Sequence, residues 1–426
     1  MVIRHRLHDS FIAVARPFFF FVILLLLCLC ARRERANPLD PKNPVTHGRP
    51  SELQALAGDE KVMLRWDYRA FEDVWGYHLY RRTEGRAALR KLTDQVVPRE
   101  ITSFLDTDVV NGTTYFYRIG LLVEDAGETE LSEEAPATPG PEECWVLDAL
   151  ARQVIKLSPD GRNALLQMGD LPEPVALSVD RSDGSCWVAD RSAESVYRIS
   201  TDGKIQPIVG GFRTPSHIAV DPKARLCWIV DTRDKTVLHL SLADLTSPAP
   251  VKVDVSFDQP ASVAPWNGLC WISDSVRGRV ILYPSAGGEV ISFSGLKSPD
   301  QVVVDSGTGD CWVLEEYNTR VAKLSLKEQE VLFRIPVEPV WAMDVDGMTG
   351  DCWISTGQYV YLLDSTGSVK RRLETFPGVN GISIDEVNRR GWLIAGDVLW
   401  KIDLNGSVLS SLRGFLRLRD IAVYPG

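Results

Sequence analysis

Six Cys-Trp dipeptides, spaced almost evenly over the last two thirds of the chain, restrict its fold more than any other feature. They are Cys144-Trp145, Cys186-Trp187, Cys227-Trp228, Cys270-Trp271, Cys311-Trp312 and Cys352-Trp353, and Gly391-Trp392 follows as a degenerate seventh copy. Successive tryptophans lie 42, 41, 43, 41, 41 and 39 residues apart. A period near forty, with short apolar runs between turn residues, is that of a radial β-repeat in which each unit is one four-stranded blade.

Overlaying the units gives the four strands. An apolar strand ending in aspartate comes first, as in Ile218-Ala219-Val220-Asp221 and Val302-Val303-Val304-Asp305, and the tryptophan strand is second. A third follows, as in Val196-Tyr197-Arg198-Ile199, and a fourth after a turn, as over 205–209. Residues 144–168 supply strands two to four without a first, whereas the chain ends on a lone first strand, Arg419-Asp420-Ile421-Ala422-Val423-Tyr424. Pairing that strand with the Cys144 strand completes a seventh blade and removes two open edges. Over 144–426 this pattern resembles the NHL and virginiamycin-lyase-like class of propellers, which implies a seven-bladed β-propeller of four-stranded blades.

The repeated tryptophans are expected to fill the spaces between blades, and the cysteines to be buried free thiols. No Cys-x-x-Cys pair offers a metal site, and equivalent positions on adjacent blades lie beyond the roughly 7 Å that a disulfide spans. Asp148, Asp190, Asp231 and Asp274, with Glu315 and Thr356 in the same place, close the second strands. Short acidic side chains there are expected to accept backbone N–H groups of the following turn. A calcium-binding ring of carboxylates lacks the compact loop such a site needs.

At 426 residues the chain has room for a second domain beside the repeats. Short strand-like runs at 52–56, 61–66, 76–81, 103–105, 113–123 and near Leu131 predict a small β-sandwich over 50–138. Alternation in Lys61-Val62-Met63-Leu64-Arg65-Trp66 places Val62, Leu64 and Trp66 on one face. Together with Trp75-Gly76-Tyr77-His78-Leu79-Tyr80, Gly112-Thr113-Thr114-Tyr115 and Ala137-Thr138-Pro139, these runs resemble a fibronectin type III domain, with Tyr115 as its corner tyrosine. That resemblance implies spacing or protein contact and no catalysis. Residues 139–143 are the linker to the propeller.

The N-terminus reads as an export signal over 1–30. Arg4, Arg6 and Arg16 precede an apolar run at 18–30, which is too short to span about 30 Å of hydrocarbon. Cleavage near Cys28-Leu29-Cys30, lipid attachment at Cys30 or Cys28, and retention as an uncleaved anchor are its three possible endings. A proline-rich linker fills 31–49. The expected location is therefore periplasmic, anchored to the outer membrane, or extracellular. Removing 1–30 takes away three arginines and one aspartate and moves the formal charge from −10 to −12. Such a surface disfavours nucleic acid and anionic membranes as partners.

No Gly-x-Ser-x-Gly elbow is present, and within the repeats the histidines are His217 and His239. We expect a non-catalytic platform for a protein or carbohydrate, with no cofactor and no metal. The alternative is a lyase or lactonase with a metal in the central channel. Any ligand should meet the loops leading into the first strands, because these share a face with the turns after the second strands. Two residues per blade fall there: Val175 and Ala176, Ser216 and His217, Ala261 and Ser262, Asp300 and Gln301, Trp341 and Ala342, Asn380 and Gly381, Arg419 and Asp420. Their side chains vary from unit to unit, which makes His217, Asp300, Gln301, Trp341, Asn380, Arg419 and Asp420 the candidate ligand-binding residues.

Overall fold

Alternating apolar and polar residues bury one face of a strand and leave the other to water, and runs apolar on both faces require cover on both. Both patterns occur. The computed structural model describes residues 49–68, 70–124 and 127–426, which contain strands and no helix. The expected export signal, with Cys28 and Cys30, and all but residue 49 of the linker lie outside the described residues. The chain divides into two compact units near Pro139 and Gly140.

In the N-terminal unit a three-stranded sheet, Gln54–Gly58, Lys61–Arg65 and Ser103–Asp106, accompanies a six-stranded sheet centred on Val74–Thr83 and Tyr115–Val123. Val62, Leu64 and Trp66 are buried, and Trp66 meets Tyr77 edge to face at 5.4 Å. No strand forms at Leu131; the last strand of the unit is Ala135–Ala137, paired to Tyr115–Tyr117. The reason lies beside it, where the Ser132 Oγ accepts the Ile119 N–H at 3.1 Å and so takes a ladder position from the backbone. The Tyr115 hydroxyl accepts the Val110 N–H at 2.9 Å, closing a corner five residues back.

The C-terminal unit holds seven four-stranded antiparallel sheets. Sheets 2 to 7 each use four consecutive strands, and their first strands are Pro174–Val179, Pro215–Asp221, Pro260–Trp266, Val302–Val304, Val340–Asp346 and Gly381–Asp385. Sheet 1 takes its second to fourth strands from Glu143–Met168 and its first from the chain's end, where Leu418–Tyr424 pairs with Glu143–Asp148. Each first strand packs on the next, 2 on 3 through to 6 on 7, then 7 on 1 and 1 on 2.

Cys and Trp are adjacent on the second strand and so point to opposite faces. Each sheet therefore turns its tryptophan toward one neighbour and its cysteine toward the other. The apolar clusters join Trp145 with Cys186, Trp187 with Cys227, Trp228 with Cys270, Trp271 with Cys311 and Trp312 with Cys352. A further cluster joins Trp392 of sheet 7 with Cys144 of sheet 1. Beside Trp353 the cysteine position is Gly391, where a Cβ would stand 2.9 Å from Ile402. Ile402 already fills that volume, which is why the seventh copy is degenerate. The six thiols are free and buried, and burial pushes their pKa values up.

The acidic residues that close the second strands do more than expected. Asp148 accepts Ala151 N–H in its own turn and also Leu416 and Arg417 N–H in the loop leading to the first strand. Asp190 and Asp231 repeat this double role. Each carboxylate thus fixes the loop that aims the start of its first strand.

Candidate functional site

The seven predicted residue pairs occupy one structural position. In every sheet of the C-terminal unit, two residues at the start of the first strand oppose a single residue of the second. Val175 and Ala176 oppose Ala189, Ser216 and His217 oppose Val230, and Trp341 and Ala342 oppose Ser355. The pairing shifts in the same way at Ala261 and Ser262 and at Arg419 and Asp420. In sheet 5 the Leu314 N–H bonds Gln301 O while Asp300 N–H bonds Leu314 O; in sheet 7 the Asn380 N–H bonds Ile394 O beside the Gly381–Ile394 pair. An extra residue on one strand bends it and re-aims a side chain, and such bulges concentrate beside functional sites.

The two members of each pair separate. First members include the exposed Asp300, Trp341 and Arg419. Second members reach sideways to the next sheet. His217 Nδ1 accepts Val263 N–H at 3.5 Å, Ser262 Oγ accepts Val302 N–H at 3.4 Å, and Asp420 Oδ2 accepts Leu177 N–H at 2.8 Å. Gln301 Nε2 donates to Met343 O at 3.2 Å. Where the second member is Ala176, Ala342 or Gly381 and cannot reach, a nearby residue replaces it. Ser178 Oγ accepts Val220 N–H at 3.1 Å, Asp344 Oδ2 accepts Ile384 N–H at 2.7 Å, and Asn380 Nδ2 donates to Leu418 O at 2.9 Å. Taken in order, these seven side-chain clasps run from sheet 1 to sheet 7 and back to sheet 1. Of the seven candidates, His217, Gln301, Asn380 and Asp420 are therefore clasps, while Asp300, Trp341 and Arg419 face outward.

Ser262 is buried and the other clasp residues are partly buried. Surrounding protein lowers the His217 pKa to about 4, so it is a neutral acceptor, and burial raises Asp344 and Asp420 to about 6. Among the described residues no group of three or more His, Cys, Asp or Glu side chains is placed to hold a metal ion.

The opposite ends of the first strands are tied across the sheets. Glu386, in the first turn of sheet 7, pairs with Arg181 of sheet 2 at 3.3 Å and accepts Ser306 Oγ–H of sheet 5 and Gly347 N–H of sheet 6, both at 2.9 Å. Trp266 Nε1 of sheet 4 donates to Ser306 O at 2.9 Å. A Cβ at Gly347 would lie 1.8 Å from Ser306 Oγ, so only glycine fits this latch.

The sequence reading missed Tyr317, which stands 84% exposed in the turn after the second strand of sheet 5. The signal was the change from aspartate to Glu315 at the start of that turn.

No known protein family matches the chain. Among curated proteins, it is 33% identical over 97 residues to an amylopullulanase of Thermoanaerobacterium saccharolyticum, covering 23% of this chain and 7% of that one. An amylopullulanase of Thermoanaerobacter thermohydrosulfuricus is 33% identical over 89 residues, covering 21% and 6%. The chain thus spans less than a tenth of the length of these relatives. Among solved structures, a protein of unknown function from Desulfotomaculum acetoxidans aligns with a TM-score of 0.54 at 16% identity, over 66% of this chain and 98% of that one. Apo AztD from Citrobacter koseri aligns at 0.53 and 11%, over 66% and 97%. Virginiamycin B lyase from Staphylococcus aureus, crystallised with quinupristin, aligns at 0.50 and 14%, over 59% and 87%. At these identities the likeness concerns the fold alone, which is a β-propeller.

Proposed function

We propose that this is an exported, non-catalytic binding protein in which a fibronectin type III-like unit spaces a seven-bladed propeller from the cell envelope. The propeller closes through its C-terminal strand and binds a protein or carbohydrate at the mouth formed by the seven bulges. One observation carries this reading: the bulges are equivalent in backbone and unlike in side chain, with Val175, Ser216, Ala261, Asp300, Trp341, Asn380 and Arg419 as their first members. Identical units could present only a symmetric ring, and a binding surface has to be irregular. The cyclic order of Trp-Cys clusters and of clasps supports closure. The Tyr115 corner and the three-plus-six strand arrangement support the fibronectin type III-like unit.

Photo-crosslinking in cells tests the proposal. A benzophenone side chain at Ala261 on the mouth should yield adducts with a protein or glycan, and one at Val387 in the opposite turn of sheet 7 should not. Adducts from Val387 alone, or equally from both, would contradict it.

A further inference from the structure

The turn 315–319 of sheet 5 departs from its counterparts. Glu316, Tyr317 and Asn318 all have left-handed backbones, with φ of 55°, 58° and 63°, whereas the matching turns of sheets 2 and 3 hold one such residue each, Glu194 and Lys235. Non-glycine residues adopt this conformation at a cost and keep it only where their surroundings enforce it. Here Glu315 accepts Lys297 N–H at 2.8 Å, and Thr319 Oγ1 donates to Glu316 O at 2.6 Å. The Glu316 carboxylate pairs with Lys297 at 3.1 Å and Arg320 at 3.0 Å. The result holds Tyr317 out in solvent.

Two segments flank this turn. On one side Asp300 N–H donates to Leu314 O at 2.8 Å. On the other, Val337 and Val340 N–H donate to Thr319 O and Asn318 O, each at 2.9 Å, which brings Trp341 alongside. Trp341 is 53% exposed and lies near Gly357, where a Cβ would be 3.5 Å from the indole, so a large part of the ring is open to solvent. Asp300 and Glu338 are exposed, one on each side. Among the described residues neither carboxylate has an ion-pair partner, while Glu315 and Glu316 are already neutralised by Arg334, Lys297 and Arg320.

We infer that the Tyr317–Trp341 ridge docks a basic segment of a partner protein, an inference that rests on the mouth being the binding face. A lysine or arginine of that segment lays its aliphatic stem along the rings and its charge between Asp300 and Glu338. Aromatic faces attract cations within about 6 Å, and Trp and Tyr dominate the energetics of protein interfaces. The molecule uses the same chemistry on itself in sheet 6, where Arg372 lies 4.7 Å over Tyr359. The formal charge of −10 steers a basic segment inward, and the two unpaired carboxylates favour it over a neutral sugar.

Fluorescence anisotropy with a labelled heptalysine peptide tests this on the purified protein, with melting curves to show that each variant is folded. Trp341→Ala and Tyr317→Ala should each raise Kd about tenfold. Asp300→Asn with Glu338→Gln should raise Kd and flatten its dependence on salt. Glu328→Gln with Glu330→Gln, an equal charge change at the other end of sheet 5, should leave Kd within about twofold. Equal weakening by both charge pairs, absence of binding, or cellohexaose binding that Trp341→Ala abolishes while peptide binding persists would each overturn the inference. If Ala261 still crosslinks when the peptide fails, the partner class alone is wrong. If the crosslinks also fail, the mouth is not a binding face.

Discussion

The two ends of the first strands differ in what they demand of the sequence. At the far end five of seven sheets carry the same residue, Asp180, Asp221, Asp305, Asp346 and Asp385, and the turns there are tied to one another. Arg225 reaches Asp180 at 3.1 Å, Arg389 reaches Asp346 at 2.7 Å, and Glu386 spans sheets 2, 5, 6 and 7. At the near end the backbone is the same in every sheet, yet the first bulge residue is different in each. A shared backbone task conserves a residue type among repeats; a surface with no such task is free to vary. The near end combines both, because seven side chains, four of them second bulge residues, hold neighbouring sheets together, while the first residues other than Asn380 make no such clasp.

The largest effect is expected from removing the first strand of sheet 1. Deleting residues 418–426 takes away the first strand of sheet 1, its bulge and the clasps to Leu177 and from Asn380. Calorimetry should show loss of the cooperative melt of the whole C-terminal unit, and a melt unchanged from the full chain would refute closure. Next in size is the latch. Glu386→Ala leaves Gly347 N–H and Arg181 without their partner and should destabilise by about 2–3 kcal/mol in urea unfolding.

The clasps predict a smaller, pH-dependent effect. Asp344 and Asp420 have folded pKa values raised to about 6, so between the unfolded carboxylate pKa of about 3.9 and 6 the folded chain holds more protons. Their contribution is complete below about pH 4 and is lost as pH rises through 6. His217, lowered to about 4, acts in the opposite sense: its contribution is present above about pH 6.5 and is lost as pH falls through 4. Urea midpoints of His217→Gln should therefore fall more steeply than wild type from pH 4.5 to 6.5. Those of the Asp344→Asn, Asp420→Asn double variant should fall less or rise. Identical pH profiles in all three proteins would show that the clasps do not titrate as placed. The smallest expected effect is at the first residues that make no clasp, where Trp341→Ala and Arg419→Ala should change stability by less than about 0.5 kcal/mol.

Much of the architecture was legible because it depends on local periodicity. The spacing of seven tryptophans located every second strand, and the unpaired first strand at the chain's end identified its partner across 277 residues, from Trp145 to Ala422. Aligning the repeats also found the seven bulge pairs as positions. What each side chain does there was not legible. Clasps are made by Asp, Ser, His, Gln or Asn at three different offsets, so no pattern of residue type marks them, and four candidates proved to serve the neighbouring sheet. Arg181, Ser306, Gly347 and Glu386 share one repeat position, each directly after the aspartate of its first strand, but they are four different residue types, so no residue pattern marks the latch and it follows from three-dimensional closeness. Tyr317 depends on three left-handed residues in succession, which no propensity favours.

The most direct test sets the two ends against each other in one experiment. Trp341→Ala with Tyr317→Ala, and separately Glu386→Ala, would be introduced into the protein carrying the benzophenone at Ala261, and melting temperature and crosslink yield measured for both. The aromatic pair should lose the crosslink and keep the melting temperature, whereas Glu386→Ala should lower the melting temperature and keep the crosslink. Loss of both properties together in the aromatic variant, or full crosslinking without Trp341 and Tyr317, would contradict the division of the strand ends into one that holds and one that binds.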